Sequence, residues 1–129
     1  MKTNQLVKTG IYVLSAIVLI VFISSCHKEG TGGKSVVNGL VKHHDKPIPN
    51  AIVYIKYGAT EFPGTNITAY DDHVTGDANS AYTFKNLRKG NYYLYGVGWD
   101  SGIMQQVSGG VAIKLKYNKS ETTDVPVTE

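Results

Sequence analysis

The chain of 129 residues has a single cysteine, Cys26, a single arginine, Arg88, and no long membrane-spanning apolar run. One cysteine excludes an intramolecular disulfide. The longest apolar run, Ile11 to Ile23, falls short of the roughly 20 residues that a spanning helix needs. The protein must therefore fold, and reach any membrane, by other means.

Catalytic and metal-binding motifs are also missing. The sequence contains no G-x-S-x-G elbow, no H-E-x-x-H pair and no glycine-rich phosphate loop. Asp77-x-Asn79 supplies only two of the six to eight oxygens that calcium prefers. The histidines are too scattered for the three or four ligands of a zinc site; they are His27, His43, His44 and His73. We expect no enzyme activity, no metal and no cofactor.

The charge is nearly balanced. Of the 13 basic residues, Lys2 and Lys8 lie in a segment that we expect to be removed, which leaves 11 against 10 acidic residues. A near-neutral domain with scattered lysines gives no electrostatic basis for nucleic-acid binding.

The N-terminal segment is predicted to be an export signal. Basic Lys2 and Lys8 precede the apolar run, and small residues follow it, which is the pattern of a secretory signal. Ile23-Ser24-Ser25-Cys26 resembles the lipobox of bacterial lipoproteins. That resemblance implies cleavage after residue 25, acylation of Cys26 and, because residue 27 is not Asp, the outer membrane, on either its periplasmic or its exposed side. The polar residues 26–34 are predicted to be a flexible tether.

From Ser35 onwards apolar residues alternate with polar ones, and turn residues separate the runs. About seven short strands result, including a strand near Ile67–Thr75 and a last run with Val125 and Val127. Strands with one apolar face each must pack in two layers. Residues 35–129 are therefore predicted to form an all-β, seven-stranded, immunoglobulin-like sandwich after the signal helix.

Two sequence blocks resemble the carboxypeptidase regulatory-like family, which is also called transthyretin-like or prealbumin-like. The first runs from Asn38-Gly39 to Tyr54-Ile55 through Pro47-Ile48-Pro49, and the second from Thr75-Gly76 to Gly90-Asn91-Tyr92-Tyr93-Leu94. The resemblance implies a prealbumin-like sandwich that serves as an accessory or display module. Where the family has a turn glycine, this chain has Asn79-Ser80-Ala81.

The family register places Tyr92 and Leu94 in the core, so that the residues between them face outward. The predicted outward aromatic residues are Tyr54, Tyr93, Tyr95 and Trp99. Such a row is suited to stacking on sugar rings or to anchoring a protein partner. Two alternatives remain open: loops cover the rings, or a bulge at Gly96 and Gly98 turns Trp99 inward.

These patterns predict a non-catalytic, lipid-anchored envelope protein whose sandwich binds a glycan, a peptide or a protein partner. The alternative is a structural subunit of an envelope or fimbria-like assembly that works through strand addition. A transthyretin-like hydrolase is the weakest candidate, because the Tyr-Arg-Gly-Ser motif of that branch is missing and Arg88 is the only arginine.

Overall fold

Two β-sheets pack face to face in the computed structural model, which describes residues 28–129. The described part is all-β apart from a short 3-10 helix, Ile67–Ala69. Its strands are β1 (Thr31–His43), β2 (Lys46–Pro47), β3 (Ile52–Tyr57), β4 (Asp72–Thr75), β5 (Ala81–Leu87), β6 (Gly90–Asp100), β7 (Gln105–Leu115), β8 (Ser120–Thr122) and β9 (Val125–Val127). The predicted signal segment, residues 1–25, and Cys26 lie outside the described residues.

One sheet is built around β1, which pairs antiparallel with β2 and β5 and parallel with β8 and β9. The other sheet has the order β4-β3-β6-β7 and is antiparallel throughout. Thr128, just after β9, exchanges two backbone hydrogen bonds with Ser108 of β7. The last strand therefore links the two sheets along one side of the sandwich.

The core lies between the sheets and follows the predicted two-residue period. Alternate residues of each long strand point inward, where they lose contact with water and provide the main favourable free energy of folding. The buried apolar residues are Val37, Val41, Ile48, Ala51, Val53, Ile55, Tyr82, Phe84, Leu87, Tyr92, Leu94, Val107, Leu115, Val125 and Val127. The all-β, two-layer prediction agrees with this arrangement.

The strand count differs from the predicted seven. The expected strand near Ile67–Thr75 is a 3-10 turn followed by a shorter strand, Asp72–Thr75. β2 has two residues and β8 has three exposed ones, so neither carries an alternating apolar pattern that sequence analysis detects. The extra strands are short segments held by backbone pairing with β1 rather than by burial of side chains.

The folded part also begins earlier than the predicted boundary at Ser35. β1 starts at Thr31, and Gly30 is buried, so part of the predicted tether lies in the sheet. Glycine permits this packing: a Cβ on Gly33 would lie 2.1 Å from the carbonyl oxygen of Leu87. The glycines of this segment thus allow close backbone approach rather than flexibility.

Tyr92 ties the start of the domain to the turn before its own strand. Its hydroxyl donates to the Arg88 carbonyl oxygen at 2.7 Å and accepts from the Gly30 amide at 2.9 Å, and its side chain is fully buried. Bonding of a tyrosine hydroxyl to backbone a few residues upstream is a recurrent feature of immunoglobulin-like sandwiches. The ring fills the core while the hydroxyl satisfies buried backbone groups.

Candidate functional site

The outer face of the second sheet carries the aromatic side chains. The pairing of β6 with β7 is continuous from Gly90 opposite Leu115 to Asp100 opposite Gln105, without a register shift. Because no bulge interrupts β6 there, Trp99 keeps the outward position of Tyr93 and Tyr95, and 54% of its surface is exposed. The alternative in which Trp99 turns inward is therefore excluded.

Tyr54 and Tyr95 form the centre of this face. They are directly paired across β3 and β6, with their ring centroids 6.4 Å apart. Tyr93 lies one outward position further along β6, opposite Lys56. Trp99 is two outward positions beyond Tyr95 in the other direction, at about 13 Å along the strand. The structure thus clusters three of the four predicted residues and sets Trp99 apart.

The loop between β3 and β4 covers part of the predicted row. Phe62 from this loop packs on Tyr93 and Tyr95, with centroid distances of 5.8 and 5.5 Å. Tyr70 stacks on Tyr95 at 5.5 Å and 18°. Tyr95 is consequently only 5% exposed, so the alternative in which loops cover the rings holds for this residue. The exposed aromatic surface here is supplied by Phe62 instead, which is 51% exposed.

A groove borders this cluster where β3 and β4 meet the loop. Its aromatic wall is made of Tyr54, which lies 5.9 Å from Tyr70 and 5.6 Å from His73 between ring centroids. Asp71 and Asp72 supply carboxylates at the same groove; Ile67 and Thr68 complete its lining. Burial, with smaller contributions from Tyr95 and Tyr93, raises the pKa of Tyr70 to about 12, so its hydroxyl stays protonated at neutral pH.

The acidic residues nearby have structural roles as well. Asp71 accepts the Tyr57 backbone N–H at 2.7 Å and lies 3.4 Å from the Lys56 ammonium. Asp77 accepts the backbone N–H groups of Asn79 and Ala81 through one oxygen. These contacts are those of carboxylates that cap strand ends and turns. Among residues 28–129, no group of three or more His, Cys, Asp or Glu side chains is arranged to hold a metal ion.

A second polar cluster lies at the end of the sandwich that contains the β1–β2 turn. His43 Nδ1 is 2.8 Å from Asp100 Oδ2, and both side chains are buried. Lys46 and the Gly102 amide donate to the other Asp100 oxygen, and Glu129 lies 2.8 Å from His43 Nε2. The hydrogen bond to Asp100 raises the pKa of His43, while Lys46 and His43 lower that of Asp100.

Sequence analysis did not identify Phe62 and Tyr70 as part of the site. Both lie in the long connection between β3 and β4, which has no strand pattern of its own. The available signal was the presence of two aromatic rings in an otherwise polar connection, since such rings in a loop need a surface to pack on.

Within the described chain, no helix has the length and apolarity to cross a membrane.

Comparison with known proteins identifies a similar fold. No family model matches the sequence, and no curated protein matches it either. Among solved structures, a candidate carbohydrate-binding protein from Pseudomonas aeruginosa superposes with a TM-score of 0.51. It is 12% identical in sequence, and the match covers 75% of this chain and 90% of that one. The chain therefore shares the two-layer β fold of that protein.

Proposed function

We propose that this chain is a non-catalytic, lipid-anchored envelope protein whose sandwich binds glycan on the aromatic outer face of the second sheet. One observation carries the glycan assignment: Tyr54 and Tyr70 line a groove together with Asp71 and Asp72, and half-exposed Phe62 packs on Tyr95, which contacts both of these tyrosines. Sugar rings present C–H faces that pack on aromatic rings and hydroxyl rims that donate to carboxylates. The groove offers both kinds of contact within one short stretch of surface.

The similarity to the candidate carbohydrate-binding protein supports this proposal at the level of fold. Two proteins with the same fold can bind different ligands, so the glycan assignment depends on the residues of this chain. The family resemblance of the two sequence blocks adds the expectation of a display module that carries no catalysis. Anchoring through Cys26 follows from the lipobox-like sequence and is part of the same proposal.

Affinity electrophoresis of the protein in gels containing xylan, β-glucan, mannan or peptidoglycan fragments tests the binding. We expect retardation by at least one of these polymers. Phe62→Ala is expected to weaken that retardation about tenfold, since one ring stacking contact contributes about 1.4 kcal/mol. Tyr117→Ala is the matched control, because Tyr117 is 71% exposed and lies outside the aromatic face. Equal loss in both variants, or no retardation by any polymer, would contradict the proposal.

Lipid anchoring is tested separately by growth with radiolabelled palmitate. The wild-type chain is expected to incorporate the label, and a Cys26→Ala variant is expected to lack it. Absence of label from the wild-type chain would remove the anchor from the proposal without affecting the glycan test.

A structural role in an assembly is favoured by one feature of β7. β6 covers one edge of β7, but in the described residues the opposite edge pairs only at Ser108, with Thr128. Residues 109–115 thus present an unpaired strand edge, to which another chain can add a strand. Sedimentation over a concentration series distinguishes this role: self-association supports it, and a monomer at all concentrations argues against self-assembly through this edge.

A further inference from the structure

We propose that the end of the sandwich at which the chain enters is a docking surface for anionic phospholipid headgroups. The inference rests on the proposed anchoring at Cys26 and adds an orientation to it. The domain then lies directly on the bilayer, with the entry end towards the lipid and the β1–β2 turn away from it.

The strand register identifies which segments share this end. Gly90 pairs with Leu115, and Leu87 pairs with both Thr31 and Ser35. The start of β1, the β5–β6 turn and the end of β7 therefore meet there; we call this region the entry pole. Its basic residues are Lys28, Lys34, Lys85, Arg88, Lys89, Lys114, Lys116 and Lys119, and its acidic residues are Glu29 and Glu121. Lys56, Asp71 and Asp72 lie at the adjoining β3–β4 edge, where Asp71 accepts the amide of Tyr57, the partner of Tyr92.

The opposite end of the sandwich has the reverse balance. Its basic residues are Lys42 and Lys46, and its acidic residues are Asp45, Asp77, Asp100, Asp124 and Glu129. The near-neutral net charge thus conceals a strong separation of charge along the sandwich. An anionic surface attracts one end and repels the other, which orients the domain.

The charges of the entry pole are not neutralised by ion pairs. The ion pairs among residues 28–129 involve Lys42, His43, Lys46 and Lys56, and none involves a basic residue of the entry pole. Glu29 is turned to the backbone, since its Oε1 accepts the Asn91 amide at 3.2 Å. The lysines of this end are therefore available to an external anion.

The entry pole also has the shape and composition of an interfacial surface. Lys28, Lys89, Lys114 and Lys116 line a shallow depression together with Glu29 and Tyr117. Tyr117 is 71% exposed, and a tyrosine ring with its hydroxyl in water is favourable at the level of lipid headgroups. A flat bilayer surface can contact such an open depression, whereas it could not contact the floor of a deep pocket.

Chain length places this surface at the membrane. One residue separates Cys26 from Lys28, so their Cα atoms are at most about 7–8 Å apart. β1 begins at Thr31 and Gly30 is buried, which leaves little of the predicted tether to hold the domain away. The Debye length is about 8 Å at physiological ionic strength, so an acylated Cys26 would keep these lysines within reach of the surface potential.

Vesicle binding of the unacylated mature chain, residues 26–129 with Cys26→Ser, tests the proposal without the lipid anchor. This segment contains all described strands and the whole described core. We expect it to bind vesicles of phosphatidylcholine mixed with phosphatidylglycerol and not vesicles of pure phosphatidylcholine, with binding lost at high salt. Free glycerol 3-phosphate is expected to compete poorly, because the contact is with a surface of many headgroups.

Two double variants with the same change in net charge locate the contact. Lys114→Gln with Lys116→Gln is expected to weaken vesicle binding about thirtyfold, since each lysine at an anionic surface contributes roughly fivefold. Lys42→Gln with Lys46→Gln, both at the opposite end, is the control and is expected to change vesicle binding little. Equal loss in both doubles, equal binding to pure phosphatidylcholine, or full competition by glycerol 3-phosphate would overturn the proposal. Failure of palmitate labelling with vesicle binding intact would overturn the anchor alone.

Discussion

The ring of Tyr70 lies nearly parallel to the ring of Tyr95, with 5.5 Å between centroids and 18° between planes. The Tyr70 hydroxyl donates to the Gly64 carbonyl oxygen at 2.8 Å. One residue thus fixes the β3–β4 loop in two ways, against the sheet and within itself. Because Phe62 is carried by the same loop, the geometry of the exposed ring depends on this stack.

Removing the stack is expected to loosen the loop. Tyr70→Ala should speed hydrogen exchange of the Ala69 amide, which donates to Asn66 O, because the aromatic pair contributes about 0.5–1.5 kcal/mol beyond its buried area. Tyr70→Phe keeps the ring and loses only the bond to Gly64, so its effect should be smaller. Hydrogen exchange followed by mass spectrometry measures both, and equal exchange in wild type and Tyr70→Ala would contradict this account of the loop.

Ser80 is held in an unfavourable conformation. Its φ is 67°, and its buried hydroxyl has no hydrogen-bond partner among the described groups. Left-handed backbone costs a non-glycine residue about 1–2 kcal/mol. Ser80→Gly should therefore stabilise the domain by about 1 kcal/mol in urea denaturation, after the larger unfolded-state entropy of glycine is subtracted.

Asn79→Gly is the control for this substitution, because Asn79 in the same turn has a negative φ. Glycine there adds unfolded-state freedom without relieving strain, so it should not stabilise. Stabilisation by Asn79→Gly without stabilisation by Ser80→Gly would contradict the assignment of the backbone strain to Ser80.

The hydroxyl of Tyr92 is expected to contribute measurably to stability. Tyr92→Phe leaves the Gly30 amide and the Arg88 carbonyl without their partner in a buried site, which should cost about 1–3 kcal/mol. Tyr57→Phe is the matched control, since the Tyr57 ring packs edge-on against Tyr92 but its hydroxyl has no hydrogen bond in the described structure. Thermal unfolding that is unaffected by Tyr92→Phe would show that water replaces these contacts fully.

The pair of His43 and Asp100 predicts how stability varies with pH. The pKa of His43 is raised above 6.5, so its contribution is complete below that pH and is lost as pH rises through the folded-state pKa. The pKa of Asp100 is lowered below 3.8, so its contribution is complete above that pH and is lost in stronger acid. The melting temperature should therefore be highest between these limits.

Asp100→Asn removes the charge that both His43 and Lys46 contact. We expect it to lower the melting temperature and to flatten the fall above pH 6.5, because the pKa of His43 then loses its largest upward influence. A melting curve with the same pH dependence in wild type and variant would show that the pair does not control it.

Alternation along the strands was enough to predict the two-layer fold, because the direction of each side chain relative to its neighbours is a local property of a strand. Both faces of β6 carry aromatic or apolar residues, so alternation left its orientation open, and the prediction of Tyr92 and Leu94 as inward came from the family resemblance. The short strands β2 and β8 were not predicted, because they are defined by backbone pairing with β1 and not by burial of their side chains. Such pairing is a contact between distant parts of the sequence.

The covering of Tyr95 could not be predicted in the same way. It depends on how the β3–β4 loop folds back, which places Phe62 and Tyr70 over a ring that is far away in sequence. The same limit applied to the turn before β5, where Ser80 has a positive φ. Loop conformation is set by tertiary packing, on which a periodic pattern carries no information.

Trp99 is the only tryptophan and lies about 13 Å along the strand from Tyr95, so a Phe62→Trp variant in a Trp99→Phe background reports on the proposed binding face more directly. The decisive measurement is the emission of that variant and its quenching by iodide during titration with oligosaccharides of the polymer that retards the protein. We predict a blue shift and protection from iodide, both weakened by Tyr54→Ala. Unchanged emission and quenching at saturating oligosaccharide would contradict glycan binding on this face.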